Sequence, residues 1–181
     1  MFFKIKKTHD ILIKDFIEHT VVDRYTTSIN GIDYGIWYSR ITMNDTELFE
    51  NFIPKKYLDK FEALYMKINS RVTPHTDSGI KCSLNFYIDS QECETVFYRS
   101  VSNPRTYQIE NQTNGMCFNY EDVIKLDSFI AKDKEIYLLD VSLPHSVETD
   151  KKNIMRQVVV LQTNFYTYHQ VLGMLKKTNS I

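Results

Sequence analysis

Met155-Arg-Gln-Val-Val-Val-Leu-Gln-Thr-Asn-Phe165 is the most apolar strand-like stretch of the chain, and it sets the expectation for the fold. Its centre, Val158-Val159-Val160-Leu161, carries apolar side chains to both faces of an extended segment, as a strand buried on two sides requires. The preceding sequence has the same character. Leu64–Asn69, Lys81–Ile88, Thr95–Tyr98, Thr106–Glu110, Gly115–Tyr120 and Glu135–Val141 read as further strands, with Asp, Asn, Lys and Ser clustered between them. The 12 Tyr and 11 Phe stand against only 5 Gly and 4 Pro, a composition rich in strand formers. Before residue 64 the pattern differs. Asn30-Gly31 sits between β-rich flanks in Val21 to Tyr38, a hairpin signal. Ile11, Leu12, Phe16 and Ile17 could make one face of a short helix. Asn44 precedes Glu47 by three residues, a capping pattern, and Leu48, Phe49, Phe52 and Ile53 follow at helical spacing. Pro54 can open a second helix with Tyr57, Leu58, Phe61 and Leu64 on its apolar face. Helices followed by many short strands suggest a β-sandwich or barrel with a helical layer against one sheet. A βαβ fold would need helices between the later strands, and none is readable there.

With 181 residues, 43 % hydrophobic and 25 % charged, the chain can bury a substantial core. Its 22 basic and 23 acidic side chains leave a net charge of −1, which argues against a binder whose affinity rests on neutralising phosphates. Cys82, Cys93 and Cys117 form no C-x-x-C motif and are odd in number, which reads as reduced thiols. The N-terminal Met-Phe-Phe-Lys-Ile-Lys-Lys lacks the apolar core of a secretory signal, and no apolar run approaches the roughly 18 residues of a membrane span. The expectation is a soluble, cytoplasmic protein with no membrane partner.

Three short pieces of sequence carry chemistry. In His75-Thr76-Asp77, residues two apart in an extended segment point to one side, so an imidazole and a carboxylate can converge on one cation. Pro74 stiffens the approach by fixing φ. His145 follows the strand Glu135-Ile-Tyr-Leu-Leu-Asp-Val-Ser-Leu-Pro144, and a histidine leaving such a strand is placed to look into a sandwich interior. Arg156 opens the most apolar strand, where a guanidinium is costly to bury without an anion. The chain has only six Arg against 16 Lys, so arginine is not its default basic residue. Two histidines and a carboxylate with open coordination positions form the facial set of non-haem Fe(II) oxygenases, and a bidentate cation near that metal suits a dicarboxylate.

The order His75-x-Asp77, then His145 sixty-eight residues after Asp77, then Arg156, resembles the 2-oxoglutarate- and Fe(II)-dependent oxygenases. Within that family the likeness is to compact prolyl-hydroxylase-like members. The resemblance implies a mainly β fold with N-terminal helices around a double-stranded β-helix (jelly-roll) core. It spans about residues 63–164, with residues 1–62 as N-terminal support and 165–181 as a C-terminal tail, all in one oxygenase domain. It further implies Fe(II) held by His75, Asp77 and His145, and 2-oxoglutarate as co-substrate with its far carboxylate on Arg156. O2 would be the second co-substrate, and succinate and CO2 would be released. Halogenating relatives replace the carboxylate ligand with a small residue, so Asp77 implies hydroxylation. A Tyr about ten residues before the H-x-D commonly touches the co-substrate in such members, and Tyr65 holds that place. Some members carry Arg-x-Ser, and here the third position is Val158, so another polar group must assist. Tyr65, Asn85 and Tyr87 are the candidates. Alternation in Lys81–Ile88 puts Ser83, Asn85 and Tyr87 on one face and Cys82, Leu84, Phe86 and Ile88 on the other, without saying which looks inward.

The implied activity is hydroxylation of a C–H bond in a peptide side chain or a small molecule. Nucleic acid fits poorly: the charge is near neutral, and Gln-Val-Val-Val-Leu after Arg156 lacks the second arginine of AlkB-like repair enzymes. Two other readings stay open. One is a non-catalytic jelly-roll binding or structural module, and the other a cupin-like metal enzyme that does not use 2-oxoglutarate. The sequence fixes no oligomeric state. His9, His19 and His169 read as structural or solvated.

Overall fold

A computed structural model of the chain describes residues 1–11, 21–29, 32–40, 47–77, 79–107, 115–151 and 154–181, leaving out the side chains of 21–29, 32–40 and 47. In chain order the strands are β1 (Phe2–Lys4), β2 (Val21–Ile29), β3 (Ile32–Arg40), β4 (Glu62–Ile68), β5 (Val72–His75), β6 (Cys82–Asp89), β7 (Glu94–Ser100), β8 (Thr106–Tyr107), β9 (Cys117–Phe118), β10 (Val123–Ile130), β11 (Ile136–Leu139), β12 (His145–Glu148) and β13 (Arg156–Thr163). They build a seven-stranded sheet in the order β1-β11-β6-β13-β4-β3-β2 and a six-stranded sheet in the order β10-β7-β12-β5-β9-β8. The pairings among the described residues are antiparallel. From β4 onward the chain passes between the two sheets: β4 and β6 lie in the first, β5 and β7 in the second, β11 and β13 in the first, and β12 in the second. This is a mainly β double-stranded β-helix with few helices.

The strand quoted above sits where its apolar run requires. β13 lies between β6 and β4, buried on both faces. Val158 and Val160 face the second sheet, where Leu64, Tyr87, Phe97, Phe129 and Tyr137 complete the intersheet core. Val159 and Leu161 face the other way, against Phe49, Phe52, Leu58, Val171 and Leu175 of the helical layer. Alternation on β6 is settled in the same way. Cys82, Leu84 and Phe86 pack on the helical layer. Tyr87 joins the intersheet core, and Ser83 and Asn85 line a cavity on that side.

The N-terminal half departs from expectation in detail. β2 and β3 pair antiparallel with Ile29 opposite Ile32, the hairpin anticipated from the flanks of Asn30-Gly31, although those two residues lie outside the described ones. Leu12, Phe16, Ile17 and Asn44 also lie outside. The two expected helices shrink to one turn, α1 (Glu47–Glu50), and a 3₁₀ turn at Lys55–Lys60. Proline disfavours helix in the residue before it and donates no backbone N–H, so Pro54 ends the first segment instead of joining it to a longer second one. Phe61 is already extended (φ −119°, ψ 149°), and Leu64 belongs to β4.

The expected C-terminal tail contains a helix, α2 (Tyr168–Lys177). Thr167 caps it: its side chain accepts from the Gln170 backbone N–H, and the Gln170 side chain accepts from the Thr167 N–H. Val171 and Leu175, four residues apart, are fully buried against the first sheet. Thr167-x-x-Gln170 before an apolar i, i+4 pair was a readable start signal. β10 also went unread. It is an edge strand with a register shift between Lys125 and Asp127, and this bulge breaks the period-two pattern by which strands are recognised. Among the described residues no helix is long and apolar enough to cross a membrane.

Helix α2 is expected to act as a clasp on the first sheet. Urea unfolding should show Leu175→Ala costing about 2–5 kcal/mol through the cavity it leaves. Thr167→Ala should cost about 1 kcal/mol through the lost cap. Stability unchanged by Leu175→Ala would contradict this packing.

Candidate metal centre

His75 closes β5 and His145 opens β12, and the two residues are direct partners in the antiparallel ladder. Opposed residues share a face with their Cβ atoms about 5 Å apart, so the register alone sets the imidazoles side by side. Their ring centroids are 4.4 Å apart. Asp77, two residues past His75, returns to the same side. Its approach is fixed by backbone bonds from Thr76 N–H to the Met116 carbonyl (2.9 Å) and from Asp77 N–H to the Val141 carbonyl (3.1 Å). Asp77 Oδ1 lies 3.5 Å from His75 Nε2 and 4.0 Å from His145 Nε2. One ligand atom from each of the three residues falls within 4.8 Å of the others. Among the described residues this is the one His, Cys, Asp or Glu group close enough to share an ion.

Both histidines are oriented by the same local device. Each follows a proline, in Thr73-Pro74-His75 and Leu143-Pro144-His145, and each turns its Nδ1 onto the carbonyl of the residue before that proline. The distances are 2.8 Å to Thr73 and 2.9 Å to Leu143. A carbonyl can only accept, so Nδ1 carries the hydrogen and Nε2 is presented to the cluster. Orienting partners of this kind are the usual second shell of metal-ligating imidazoles. Phe97, fully buried on β7, stacks on the far side of His145 (5.8 Å, 27°).

The electrostatics follow from crowding three titratable groups. Burial works against a charged His75, but the hydrogen bond and charge of Asp77, with the Thr73 carbonyl, outweigh it and raise the His75 pKa above its ordinary 6.5. Burial likewise works against ionised Asp77, yet the His75 hydrogen bond and the two imidazoles hold its pKa below the usual carboxylate range. His145 is pushed down to about 4 by burial and by the neighbouring His75, against the pull of Asp77. Two Nε2 atoms and one carboxylate, ionised at neutral pH, make a donor set that fits a divalent first-row metal.

Arg156, the first residue of β13, lines the same cavity as the three residues above and is only 2 % exposed. Its Nη2 donates to the Tyr87 hydroxyl (2.8 Å) and the Thr95 hydroxyl (2.9 Å), and its guanidinium lies 4.9 Å from the centre of the Tyr87 ring. Its Nε and Nη1 are buried without a hydrogen-bond partner among the described residues. Met66, Ile68, Val72 and Val147 supply apolar wall, and Ser83 and Asn85 supply polar wall. A second, more open depression, lined by Gly79, Lys81, Gly115 and Met116, shares Asp77 with the inner cavity.

The residues expected to assist Arg156 separate. Asn85 reaches the cavity, where its Oδ1 is buried without a partner among the described residues. Tyr87 holds the guanidinium. Tyr65 does not reach it, and the expectation fails on parity. On β4, Leu64, Met66 and Ile68 face the second sheet, so Tyr65 faces the helical layer, where its hydroxyl donates to Gln157 and Lys67 Nζ lies over its ring. Thr95 was not anticipated. It lies on the facing sheet, 61 residues from Arg156, and no local pattern marks so distant a contact. The repeated Pro-His dipeptide was readable and only half used. His9 is structural: buried, with Nε2 on the Tyr87 carbonyl (2.9 Å) and Nδ1 accepting from the Ile11 N–H.

No family model matches the sequence. No curated protein matches it either. Among solved structures, the chain is similar to a 2OG-Fe(II) oxygenase family oxidoreductase from Burkholderia pseudomallei (9 % identity, 80 % of this chain and 74 % of that one, TM-score 0.47). It is also similar to a cupin-like protein from Thermotoga maritima (9 % identity, 86 % and 82 %, TM-score 0.37). A third similarity is to hazelnut (Corylus avellana) vicilin, of which the chain spans only a third (10 % identity, 80 % and 33 %, TM-score 0.39). With likenesses this distant, the bearing on chemistry comes from the site's own side chains.

Metal and proton compete for the same His75 nitrogen, because Nε2 faces Asp77 either way. A ligand imidazole must be neutral. His75, with its raised pKa, takes up a proton first as pH falls, and His145 follows only near pH 4. Divalent-metal affinity, measured by chelator competition, is therefore expected to fall about tenfold per pH unit between about pH 6 and pH 5, one proton per ion. It should steepen toward two protons only near pH 4. Affinity independent of pH across that range would remove these residues as ligands.

Proposed function

We propose that this chain is an Fe(II)- and 2-oxoglutarate-dependent dioxygenase that hydroxylates a C–H bond of a peptide side chain or a small molecule, with release of succinate and CO2. One observation carries the reading. A single cavity is lined both by His75, Asp77 and His145 and by a buried guanidinium whose Nε and Nη1 lack partners among the described residues. A three-ligand site leaves coordination positions open. A buried cation without a carboxylate is costly, and a bound anion relieves the cost. Fe(II), held by the three side chains, would supply the centre at which the keto acid and O2 react.

The remaining steps belong to the protein. His75 and His145 present Nε2 because their Nδ1 hydrogens are tied to Thr73 and Leu143. Asp77 stays ionised and completes the facial set. Arg156 forks onto the far carboxylate of 2-oxoglutarate, so the keto acid end is turned toward the metal ligands. Met66, Ile68, Val72 and Val147 exclude water from that end. Asp77 borders both the inner cavity and the outer depression, which supports co-substrate binding inside and substrate approach from outside. The cupin-like alternative has no use for Arg156 inside the cavity. The non-catalytic alternative leaves the convergence of two imidazoles and a carboxylate without a cause.

Anaerobic titration of the Fe(II) protein with 2-oxoglutarate tests this through the absorption band of the chelate. Wild type is expected to form the band. Arg156→Ala should weaken 2-oxoglutarate binding by roughly 10- to 100-fold, as loss of charge-assisted hydrogen bonds does, while iron binding stays unchanged. Equal affinity in the variant would end the role given to Arg156. Asp77→Ala should abolish the succinate formed in step with substrate oxidation.

A further inference from the structure

The guanidinium of Arg156 is held by two hydroxyls and by no carboxylate among the described residues. Each hydroxyl accepts an Nη2 hydrogen and still has its own O–H to donate. Among the described residues neither Tyr87 nor Thr95 has an acceptor for that hydrogen. Thr95 is 2 % exposed, comes from β7 of the opposite sheet, and lines the cavity itself. Unspent hydroxyl hydrogens therefore accompany the unspent Nε and Nη1 hydrogens of Arg156. Buried donors need acceptors. A carboxylate is acceptor-only, with about four lone-pair sites, and can take several of these donors at once. Water, itself a donor, would use only part of that capacity. The position two residues beyond Arg156 on β13 is Val158, fully buried in the intersheet core, so no hydroxyl on that strand can do this work.

We infer that Thr95 is a binding residue of a carboxylate subsite: its hydroxyl accepts from Arg156 Nη2 and donates its own hydrogen to the carboxylate that Arg156 grips. Tyr87 supplies the second hydroxyl of the same subsite. The inference rests on the reading under Proposed function for the identity of the natural ligand, 2-oxoglutarate, but not for the existence of the subsite.

Two probes keep the claims apart. Succinate has the carboxylate and lacks the keto acid, so with metal-free protein it reports on the subsite alone. 2-Oxoglutarate with Fe(II) under anaerobic conditions reports on subsite and metal together. Thr95→Val keeps the shape and removes the hydroxyl, and Thr95→Ser keeps the hydroxyl. Wild type should bind both probes. Thr95→Val should weaken both about tenfold, as loss of one hydrogen bond to a charged group does, with iron affinity unchanged, and Thr95→Ser should stay within about threefold of wild type. Should Thr95→Val lower the melting temperature of the ligand-free protein yet bind succinate as wild type does, the hydroxyl is structural and the inference is overturned. It is also overturned if Thr95→Ser is as weak as Thr95→Val. Succinate binding that depends on Thr95, without any Fe(II)/2-oxoglutarate band in wild type, removes the dioxygenase reading and leaves the subsite standing. Binding of neither probe by wild type removes both.

Discussion

Everything at the centre depends on the register of two short strands. β5 and β12 pair so that His75 and His145 are opposite one another, and the side-chain period of a strand is two. Sliding β12 by one residue would bring Ser146 to the cavity and send His145 to the outer face. The register is held from several sides. β12 is also paired with β7, where His145 opposes Phe97. On the outer face the Ser146 hydroxyl bonds with the Tyr98 hydroxyl (2.9 Å) and with Glu148, which also accepts from Tyr120 and pairs with Arg71. Ser146 is fully buried, so a slip would cost this network as well as the histidine. The alternation that points one residue inward to the cluster thus points its neighbour outward to the anchor.

Register sets position and the prolines set orientation. An imidazole on a strand could turn either ring nitrogen to the cavity. With φ fixed by a preceding proline, the carbonyl one residue further back is held where Nδ1 can reach it, and the geometry repeats to within 0.1 Å at the two sites. The bulge between His145 and Val147 in the β5–β12 ladder relaxes the pairing just beyond the histidines, a common device for re-aiming side chains next to a site.

How much of this could be read from residues alone follows from the range of each interaction. H-x-D is a local pattern, and strand geometry turns it into one imidazole and one carboxylate on the same side without further information. The buried strand Val158-Val159-Val160-Leu161 was equally plain, because a segment apolar on both faces has few places to go. Tyr65 shows the opposite case. Its distance from His75 is suggestive, but which face of β4 looks inward is decided by Leu64, Met66 and Ile68 packing across the sandwich, and a difference of one residue reverses the outcome. β10 escaped because its bulge shifts the alternation midway. Thr95 escaped because a contact across two sheets leaves no spacing rule in the chain. Helix α2 was legible and passed over, since its capping box and i, i+4 apolar pair are both local.

The burial of Arg156 is what separates a metal site from a metal-and-anion site. A guanidinium left uncompensated in an apolar sandwich is destabilising by several kcal/mol in general. Two neutral hydroxyls and an aromatic face offset part of that cost but engage only Nη2 and the ring. Methionine or leucine would fill the same volume at the mouth of β13 without the penalty, so stability alone does not account for an arginine there. Charge balance in the cavity points the same way. The metal ligands contribute one negative charge, from Asp77, against a divalent ion, and Arg156 adds another positive charge. A dianion bound between the metal and the guanidinium would bring that sum to zero within one enclosed volume. A neutral or cationic occupant of the inner cavity would leave it strongly positive.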